Sequence, residues 1–299
     1  MHWEPKTELK KHFRMPRYTG VTLSLLSMMV LASMLVVWKK IQPEEENADL
    51  RLLVIQELRE SIAEISNHFR DEYGYEYLIT TFENEEQLEE IIHNRDDKFD
   101  LLIASNEYDF RTITETNGTF SEIPICFHSS KLRLDHNATT TMYSAVVPPW
   151  ARDNKQAFRF ARYISAPSKG QYVFAQNQIV GVNGDFWSLE PEITIFTSLE
   201  NPEEFKKGIT TFSEEEGIKS EIQNFSGNKI AAVLKMISQS TATHLLPDLI
   251  IADSALSDIN QSKYKTFLNN SPNPTPLYFY KYSLSPFPNL CKRLSGYIK

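Results

Sequence analysis

The sequence predicts an α/β protein of two repeated lobes, each a mostly parallel sheet flanked by helices, after one N-terminal transmembrane helix. Two similar apolar motifs, "FDLLIAS" at 99–105 and "PDLIIAD" at 247–253, stand 148 positions apart. Around each motif, apolar runs typical of strands alternate with the periodic patterns of amphipathic helices, in the same order. Near the N-terminus, 21 consecutive residues carry no charge.

The uncharged stretch, residues 18–38, is predicted to be a retained membrane anchor. As a helix it would span roughly 31 Å, about the thickness of the hydrocarbon core of a bilayer. Its length, and its "VVWKK" end in place of small residues, distinguish it from a cleaved signal peptide. Residues 1–17 form a basic tail that the positive-inside rule places in the cytoplasm. The bulk of the chain, after an acidic linker at 39–49, is then expected to be periplasmic or extracellular.

Charge and cysteine content narrow the class of protein. Beyond residue 40 the chain carries 24 basic and 37 acidic residues, a net charge of −13. Such an acidic surface repels phosphate backbones, which argues against nucleic-acid binding. Cys126 and Cys291 stand far apart in sequence, and two alternatives stay open for them: a disulfide outside the cytoplasm, or two buried free thiols.

The first copy, predicted over residues 50–187, begins with the buried strand "LRLLVIQ". A helix follows, because apolar residues recur on one face at helical spacing and a glycine ends the pattern. These residues are Leu58, Ile62, Ile65, Phe69 and Gly74. The strand "YEYLITTF", a second helix and the strand "FDLLIAS" come next. A connection, the strand "TMYSA" and the closing helix "FRFARYI" complete the copy.

The second copy, predicted over residues 190–299, repeats that order. The strand "EITIFTS" leads to a helix with Asn201 as N-cap and Pro202 at its first position. The strand "GIKSEIQNF", another helix, the strand "PDLIIAD", the strand "PLYFY" and the helix "CKRLSGYI" follow. Three residues of each copy correspond at one offset of 143 positions. They are Phe69, Gly74 and Phe82 in the first copy and Phe212, Gly217 and Phe225 in the second.

This order, with F-x-x-x-x-G after the first helix and D-L-I-I-A-D closing the third strand, resembles the first lobe of type II periplasmic solute-binding proteins of the molybdate and iron class. Residues 154–182 are similar to the closing segment of that family, where a helix leads into a Ser-Pro-x-x-x-Gln stretch. Here the order is Ser165-Ala166-Pro167, with Gln171 following. The resemblance covers about residues 50–299 as a tandem of two shortened copies. It implies a substrate-binding component of an ABC importer.

The chain departs from that family in one respect. Family members have two lobes per copy, and the second lobe would lie where this chain has only residues 106–140 and 254–274. Lobes below about 40 residues usually need disulfides or a metal, so each copy keeps only the lobe that contains its ends. Two interpretations stay open: the retained lobes face each other across a cleft, or the clamshell is lost and they form a rigid interaction surface.

The resemblance implies an oxyanion held by hydroxyls and backbone N–H groups at strand ends and helix N-termini. The second copy carries suitable residues at these places. The candidate ligand-binding residues are Thr197, Ser198, Ser226, Gly227, Asn228 and Asp253. The structural alternative is that the Ser-Gly-Asn stretch forms a turn and N-cap, and that Asp253 caps the turn after its strand.

The matching positions of the first copy predict the opposite behaviour. They hold Gln56, Glu57, Glu83, Asn84 and Glu85. Carboxylates in a partly dry site repel an anion strongly, so the first copy is not expected to hold one.

No pattern in the chain predicts catalysis, and no catalytic residue, cofactor or metal ligand is assigned. The chain lacks Gly-x-Ser-x-Gly, Walker, Cys-x-x-Cys and His-Glu-x-x-His motifs. The leading hypothesis is a membrane-anchored, extracytoplasmic, non-enzymatic protein that binds a small oxyanion or metal ion and serves an ABC permease. The alternative is a degenerate relative that acts as a protein-interaction scaffold or sensor ectodomain.

Overall fold

The computed structural model divides the chain into two units, residues 1–47 and 48–299. The second unit holds both sheets. The residues that the structure describes are 27–31, 33–34, 48–93, 99–108, 110, 122–128, 141–199, 202–225, 229–239, 245–256, 259, 263–268 and 277–298.

Most of the predicted membrane anchor lies outside the described residues. Residues 27–31 and 33–34 are described, and they are helical and exposed. Within the described part of the chain, no helix combines the length and the apolar character needed to cross a bilayer. The basic tail at 1–17 and nearly all of the linker at 39–49 also lie outside it.

The first lobe is built on a six-stranded sheet in the order β2-β1-β3-β5-β4-β6. β1 is parallel to β2 and to β3, and the other pairs are antiparallel. Its elements are β1 (Leu50–Ile55), a 3₁₀ turn (Gln56–Leu58), α1 (Arg59–Tyr73), β2 (Tyr77–Phe82), α2 (Glu85–His93), β3 (Leu101–Ser105), β4 (Glu122–His128), β5 (Thr141–Val146), α3 (Asn154–Ser165), α4 (Gly170–Gln176) and β6 (Val180–Gly181).

The second lobe is built on a five-stranded sheet in the order β10-β11-β9-β7-β8. β7 is parallel to β8 and to β9, and the other pairs are antiparallel. Its elements are β7 (Glu192–Thr197), α5 (Pro202–Glu216), β8 (Lys219–Asn224), α6 (Lys229–Gln239), β9 (Leu249–Ala252), β10 (Tyr264–Leu268), β11 (Tyr278–Tyr282) and α7 (Pro288–Tyr297).

An α/β fold with two helix-flanked sheets is therefore confirmed, whereas the prediction of mostly parallel sheets is wrong. Among the strands that the structure describes, each sheet has only two parallel pairings. The connection of each half contains a strand, β4 or β10, that the sequence analysis missed. The following strand, β5 or β11, then runs back from the carboxyl edge and pairs antiparallel to both neighbours. Neighbours of opposite direction can be joined by a short connection, whereas parallel neighbours need a crossover.

The helices bury the faces that the sequence predicts. Along α1, the buried apolar residues are Ile62, Ile65 and Phe69. The helix ends at Gly74, which has a φ of 77° and donates its N–H to the carbonyl of Arg70. α5 likewise ends before a glycine of positive φ, Gly217, at 65°. Only glycine adopts this conformation without strain, so the two glycines stop the two helices in the same way.

An aspartate before the third strand ties that strand to the first strand in both lobes. Asp100 donates its N–H to the carbonyl of Arg51 at 2.7 Å and accepts from the N–H of Arg51 at 2.9 Å. Asp248 makes the same two bonds with Thr194, at 2.9 and 3.0 Å. The repeated Asp-Leu of the two motifs is therefore a structural feature of the amino edge of each sheet.

The first and last helices of each lobe meet through matching aromatic contacts. The ring of Phe69 lies edge-on to Tyr163, with centroids 5.1 Å apart and planes at 68°. Phe212 and Tyr297 repeat this contact at 5.1 Å and 67°. Each tyrosine also hydrogen bonds a glutamate near the end of the first helix. The pairs are Tyr163 with Glu72 and Tyr297 with Glu215.

The two lobes meet along their helices and along the segment that joins them. Arg162 of α3 donates to the main-chain oxygen of Glu216, at the end of α5, over 2.6 Å. Asp185, in the joining segment, accepts from two backbone N–H groups in the first turn of α7, at 2.8 and 3.0 Å. Among the described residues, no hydrogen bond joins the carboxyl edge of one sheet to the carboxyl edge of the other.

Candidate functional site

A cleft of about 350 Å³ opens at the carboxyl edge of the first sheet. In open α/β sheets this is the edge at which ligands bind. All of the cleft residues belong to the first lobe. They are Ile55, Glu57, Glu85, Ser105, Glu107, Tyr108, Thr141 and Tyr143.

Four elements bring these side chains together. Glu57 lies in the 3₁₀ turn that directly follows β1, and Glu85 is the first residue of α2. Ser105 ends β3, which is parallel to β1. Tyr143 lies near the start of β5, and because β5 is antiparallel to β3, its start is at the same edge.

Hydroxyl groups and carboxylates are already hydrogen bonded along one wall of the cleft. The Tyr143 hydroxyl donates to Oε1 of Glu57, and burial together with this carboxylate raises the pKa of Tyr143 far above its usual value. The phenol therefore stays a donor at neutral pH. Oγ1 of Thr141 donates to Oε1 of Glu107 at 3.3 Å, and the Glu107 N–H donates to Oγ of Ser105 at 3.1 Å.

The charge of the cleft is uniformly negative. No lysine or arginine among the described residues forms an ion pair with Glu57, Glu85 or Glu107. Burial raises the pKa of the Tyr108 hydroxyl, and the same three carboxylates raise it further. The arrangement suits a positively charged or hydrogen-bond-donating solute and is unfavourable for an anion.

The second lobe places three of its predicted ligand residues at its own carboxyl edge. Thr197 ends β7 and pairs with Ile251 of β9, so Asp253 follows at the same edge. Thr197 is fully buried, and its Oγ1 accepts from the N–H of Leu199 at 3.2 Å. Its hydroxyl therefore holds the turn. Asp253 is exposed.

Ser198 differs from these neighbours because its hydroxyl has no partner. Its N–H donates to the carbonyl of Ile251 at 3.2 Å, and its side chain is buried, with Oγ unpaired among the described residues. Side chains two apart on a strand share a face, and Phe196 packs in one cluster with Ile230 at the start of α6. Ser198 therefore lies on the α6 side of the sheet. The predicted residues Ser226, Gly227 and Asn228, which precede α6, lie outside the described residues.

Only half of the first-lobe cleft is predicted by sequence patterns. Glu57 and Glu85 are predicted as obstacles to an anion, whereas no pattern assigns a role to Glu107, Tyr108, Thr141 or Tyr143. The position of Glu107, two residues after a strand at its carboxyl end, was the available signal. Thr141 and Tyr143 lie in a strand that was predicted. The direction of that strand brings them to the cleft, and no local sequence pattern predicts this direction.

Metal and thiol chemistry find no support in the described residues. No group of three or more His, Cys, Asp or Glu side chains within them is placed to hold a metal ion. Cys126 and Cys291 are free and buried, so of the two alternatives for the cysteines the structure has the free thiols. Burial raises the pKa of both thiols well above the usual value, which keeps them protonated and unreactive.

No family model matches the chain, and no curated protein matches it significantly. Among solved structures, the regulatory domain of CcmR from Synechocystis PCC6803 in complex with 2-PG is 14% identical, with 84% of this chain and 97% of that chain covered and a TM-score of 0.20. HinK, a LysR family transcriptional regulator from Pseudomonas aeruginosa, is 12% identical, with 97% and 82% covered and a TM-score of 0.19. The effector binding domain of QuiR in complex with shikimate is 11% identical, with 83% and 94% covered and a TM-score of 0.19. Scores at this level support no inference about this chain.

Proposed function

We propose that this chain is a solute-binding-like protein made of two shortened copies of one lobe, and that the first-lobe cleft holds a small, positively charged solute. The observation that carries the proposal is the cleft itself: a cavity of about 350 Å³ at the ligand-binding edge of an α/β sheet, lined by three carboxylates without a cationic partner among the described residues.

Matching geometry supports the duplication. The order β2-β1-β3-β5-β4 of the first sheet corresponds to β8-β7-β9-β11-β10 of the second. Leu50 pairs with Tyr77 and Glu192 pairs with Lys219, which are 27 positions apart in both cases. A chance resemblance between unrelated halves does not account for equal registers together with equal aspartate and aromatic contacts.

The solute class follows from the charges and hydroxyls of the cleft. An ammonium or amidinium group replaces lost water with hydrogen bonds to carboxylates, which are roughly twice as strong as neutral ones. Tyr108 offers an aromatic face next to these carboxylates, a combination that also stabilises cations. An anion such as molybdate would find no lysine or arginine among the residues that line the cleft.

The second lobe supplies a second candidate, the oxyanion site predicted from the sequence. The unpaired, buried hydroxyl of Ser198 favours it. An oxyanion accepting this hydroxyl at the α6 side of the sheet would supply the partner that Oγ lacks.

Membrane attachment and delivery to an ABC permease are part of the same proposal. They rest on the uncharged stretch at 18–38 and on the resemblance to importer components. The scaffold alternative is favoured by a different observation, because the described contacts between the lobes run along their helices and along the joining segment.

Calorimetric titration of the full chain, purified in detergent, tests the proposal. Putrescine and ethanolamine represent amines; molybdate, sulfate, phosphate and ferric ion represent the sequence-based prediction. We expect heat from an amine, at least about ten-fold weaker binding in Glu85→Gln, and no change in Glu86→Gln, which alters an exposed neighbour on the same helix.

The other outcomes of the titration point to the second lobe or to the scaffold alternative. Heat from an oxyanion that is lost in Ser198→Ala moves the site to the second lobe. If no solute gives heat, the scaffold alternative replaces the proposal, and co-purification in mild detergent then identifies the partner. Recovery of a permease and its ATPase supports the importer, and recovery of an unrelated envelope protein supports the scaffold.

A further inference from the structure

β2 is an edge strand of the first sheet. It pairs with β1 on one side, and no strand of the described part of the chain pairs with its other side. The outer side of an edge strand presents a row of N–H and C=O groups to which a further strand can bind. This side of β2 is therefore a surface on which another chain can add.

The register of β2 identifies the groups on its outer side. Leu50 of β1 pairs with Tyr77 and donates its N–H to the carbonyl of Glu76. Alternate residues of a strand direct their backbone groups to the same neighbour, so Tyr77, Ile79 and Thr81 direct theirs away from β1. None of these three residues has a backbone hydrogen bond on that side to another described residue.

The matching edge strand of the second lobe, β8, is protected against such an addition. Its sequence, "KSEIQN", carries Lys219 and Glu221, and charged side chains on an edge strand oppose pairing with another chain. The Lys219 ammonium also lies 3.0 Å from the Glu190 carboxylate. β2, with the sequence "YLITTF", has neither a charged residue nor a proline. The edge of the first lobe thus lacks the protection that the edge of the second lobe has.

The outer groups of β2 are complementary to themselves. They are centred on Ile79, so a twofold axis at this residue sets Ile79 opposite itself and Tyr77 opposite Thr81 of a second copy. Three donors and three acceptors from each copy then form six backbone hydrogen bonds between antiparallel strands. The row ends at Thr81, because the next N–H, that of Glu83, donates to Oε1 of Gln87 at 2.8 Å.

The charges beside β2 suit the same arrangement. It sets Glu83 of one copy opposite Tyr75 of the other and diagonal to Tyr77. The Arg70 guanidinium lies over the Tyr77 ring, 6.0 Å from its centroid. An arginine of each copy therefore lies on the side where an acid of the other copy arrives, and no two acids stand opposite each other.

We propose that β2 pairs antiparallel with β2 of a second copy of this chain, so that the first-lobe sheets of the two copies form one continuous sheet. The twofold axis passes at Ile79. This surface lies at the side of the first sheet and not at its carboxyl edge, so the inference does not depend on the proposed solute site.

The oligomeric state of the full chain provides the first test. Light scattering of the chain in detergent, corrected for bound detergent and measured over a range of concentrations, gives the mass of protein in each particle. We expect a dimer. Ile79→Lys sets two like charges opposite each other at the axis, so the dissociation constant of the dimer should rise at least about ten-fold.

Ile222→Lys is the matched control. Ile222 holds the equivalent position in β8, and both isoleucines are partly buried against the core of their own lobe. The control should keep the wild-type dissociation constant. A wild-type chain that stays monomeric, or a dimer that Ile79→Lys does not weaken more than Ile222→Lys does, would overturn the proposal.

Disulfide formation tests the register and does not need the lysine variants to fold. In the proposed pairing the two Ile79 Cα atoms are about 5.5 Å apart, so Ile79→Cys should form a cross-linked dimer on oxidation. Thr80 is opposite Leu78, which separates the two Thr80 Cα atoms by more than about 7 Å, and Thr80→Cys should stay uncross-linked. The native Cys126 and Cys291 are buried. Absence of the cross-link in Ile79→Cys, or equal cross-linking of the two variants on a non-reducing gel, would contradict the proposal.

Discussion

The strand pairing aligns Thr197 and Ser198 of the second lobe with Val54 and Ile55 of the first, two positions before the Gln56 and Glu57 that were expected to match them from the sequence. One lobe therefore has apolar side chains where the other has hydroxyls. The first lobe instead takes its polar groups from the 3₁₀ turn, from α2 and from β5. At the amino edges, by contrast, Asp100 and Asp248 make the same bonds. The lobes thus agree where contacts hold strands and helices together and differ at their carboxyl edges, which is the pattern expected if the edges serve different solutes.

The largest effect is expected from breaking the aromatic contact that occurs once in each lobe, Phe69 with Tyr163 and Phe212 with Tyr297. Phe69→Ala should lower the free energy of unfolding by about 5 kcal/mol and Phe212→Ala by about 3 kcal/mol, within the range for buried phenylalanines. The first value is larger because Phe69 also touches Tyr73, Tyr75 and Phe160. Urea unfolding followed by circular dichroism measures both.

Tyr172→Ala, at a 60% exposed position, is the control and should change stability by less than about 0.5 kcal/mol. Equal losses in the two phenylalanine variants would contradict the idea that the first-lobe aromatic cluster is the stronger one.

The second prediction concerns the two aspartates. Asp100→Ala should cost about 3 kcal/mol and Asp248→Ala about 2 kcal/mol, because both leave backbone N–H groups unpaired and only Asp100 also loses an arginine. Arg152 reaches Asp100 through Nη2 at 2.9 Å, whereas Asp248 receives the hydroxyl of Ser285 at 2.6 Å. Chemical denaturation of both variants provides the comparison.

Acid titration separates the contribution of the Arg152–Asp100 ion pair from that of the backbone hydrogen bonds. Burial alone would raise the pKa of Asp100, but hydrogen bonds from Arg152 and Arg51 outweigh it and lower the pKa below its usual value. A lowered pKa stabilises the fold above the unfolded-state pKa of about 4, and the stabilisation is lost as the pH falls through the folded-state value. Asp100→Ala should therefore flatten the loss of stability below pH about 4. An unchanged slope would show that the ion pair contributes little.

The elements that the sequence predicts correctly are those with local signals. Periodic apolar residues and glycine stops locate α1 and α5, and apolar runs locate the parallel strands. β4 was missed although Ile123, Ile125 and Phe127 alternate along it, and β10 was missed because its five residues, Tyr264–Leu268, do not alternate strictly. Only half of the cleft was predicted. The hydrogen bond between Tyr143 and Glu57 joins residues 86 positions apart, and it forms because β5 runs opposite to β3. Long-range pairing of this kind depends on sheet order, which no window of sequence contains.

Replacing either of the glycines that end α1 and α5 by alanine should lower stability, but by different amounts. Gly74→Ala should cost about 1 kcal/mol, since alanine is strained at positive φ. Gly217→Ala should cost slightly more, because a Cβ at Gly217 meets the side chain of Lys155 on α3, whereas a Cβ at Gly74 meets nothing within 4 Å. Thermal melts of the two variants measure the difference, and Gly296→Ala, a helical glycine with open space around it, serves as the control. A larger loss of stability in Gly74→Ala than in Gly217→Ala would contradict the idea that the contact with Lys155 limits the space at Gly217.

The smallest effect is expected at the carboxyl edge, where the comparison between the lobes is sharpest. Ser198→Ala removes a buried hydroxyl that has no partner among the described residues, so it should leave stability unchanged or raise it by up to about 1 kcal/mol. Thr197→Val, which removes a hydroxyl bonded to the Leu199 N–H, should instead lose about 1 kcal/mol. Urea unfolding without added oxyanion measures the two changes. A clear loss in Ser198→Ala would mean that the hydroxyl has a structural partner, and the reason for placing a ligand at this edge would disappear. A neutral or stabilising change would leave a buried polar group that the fold itself does not need, as expected of a side chain kept for binding.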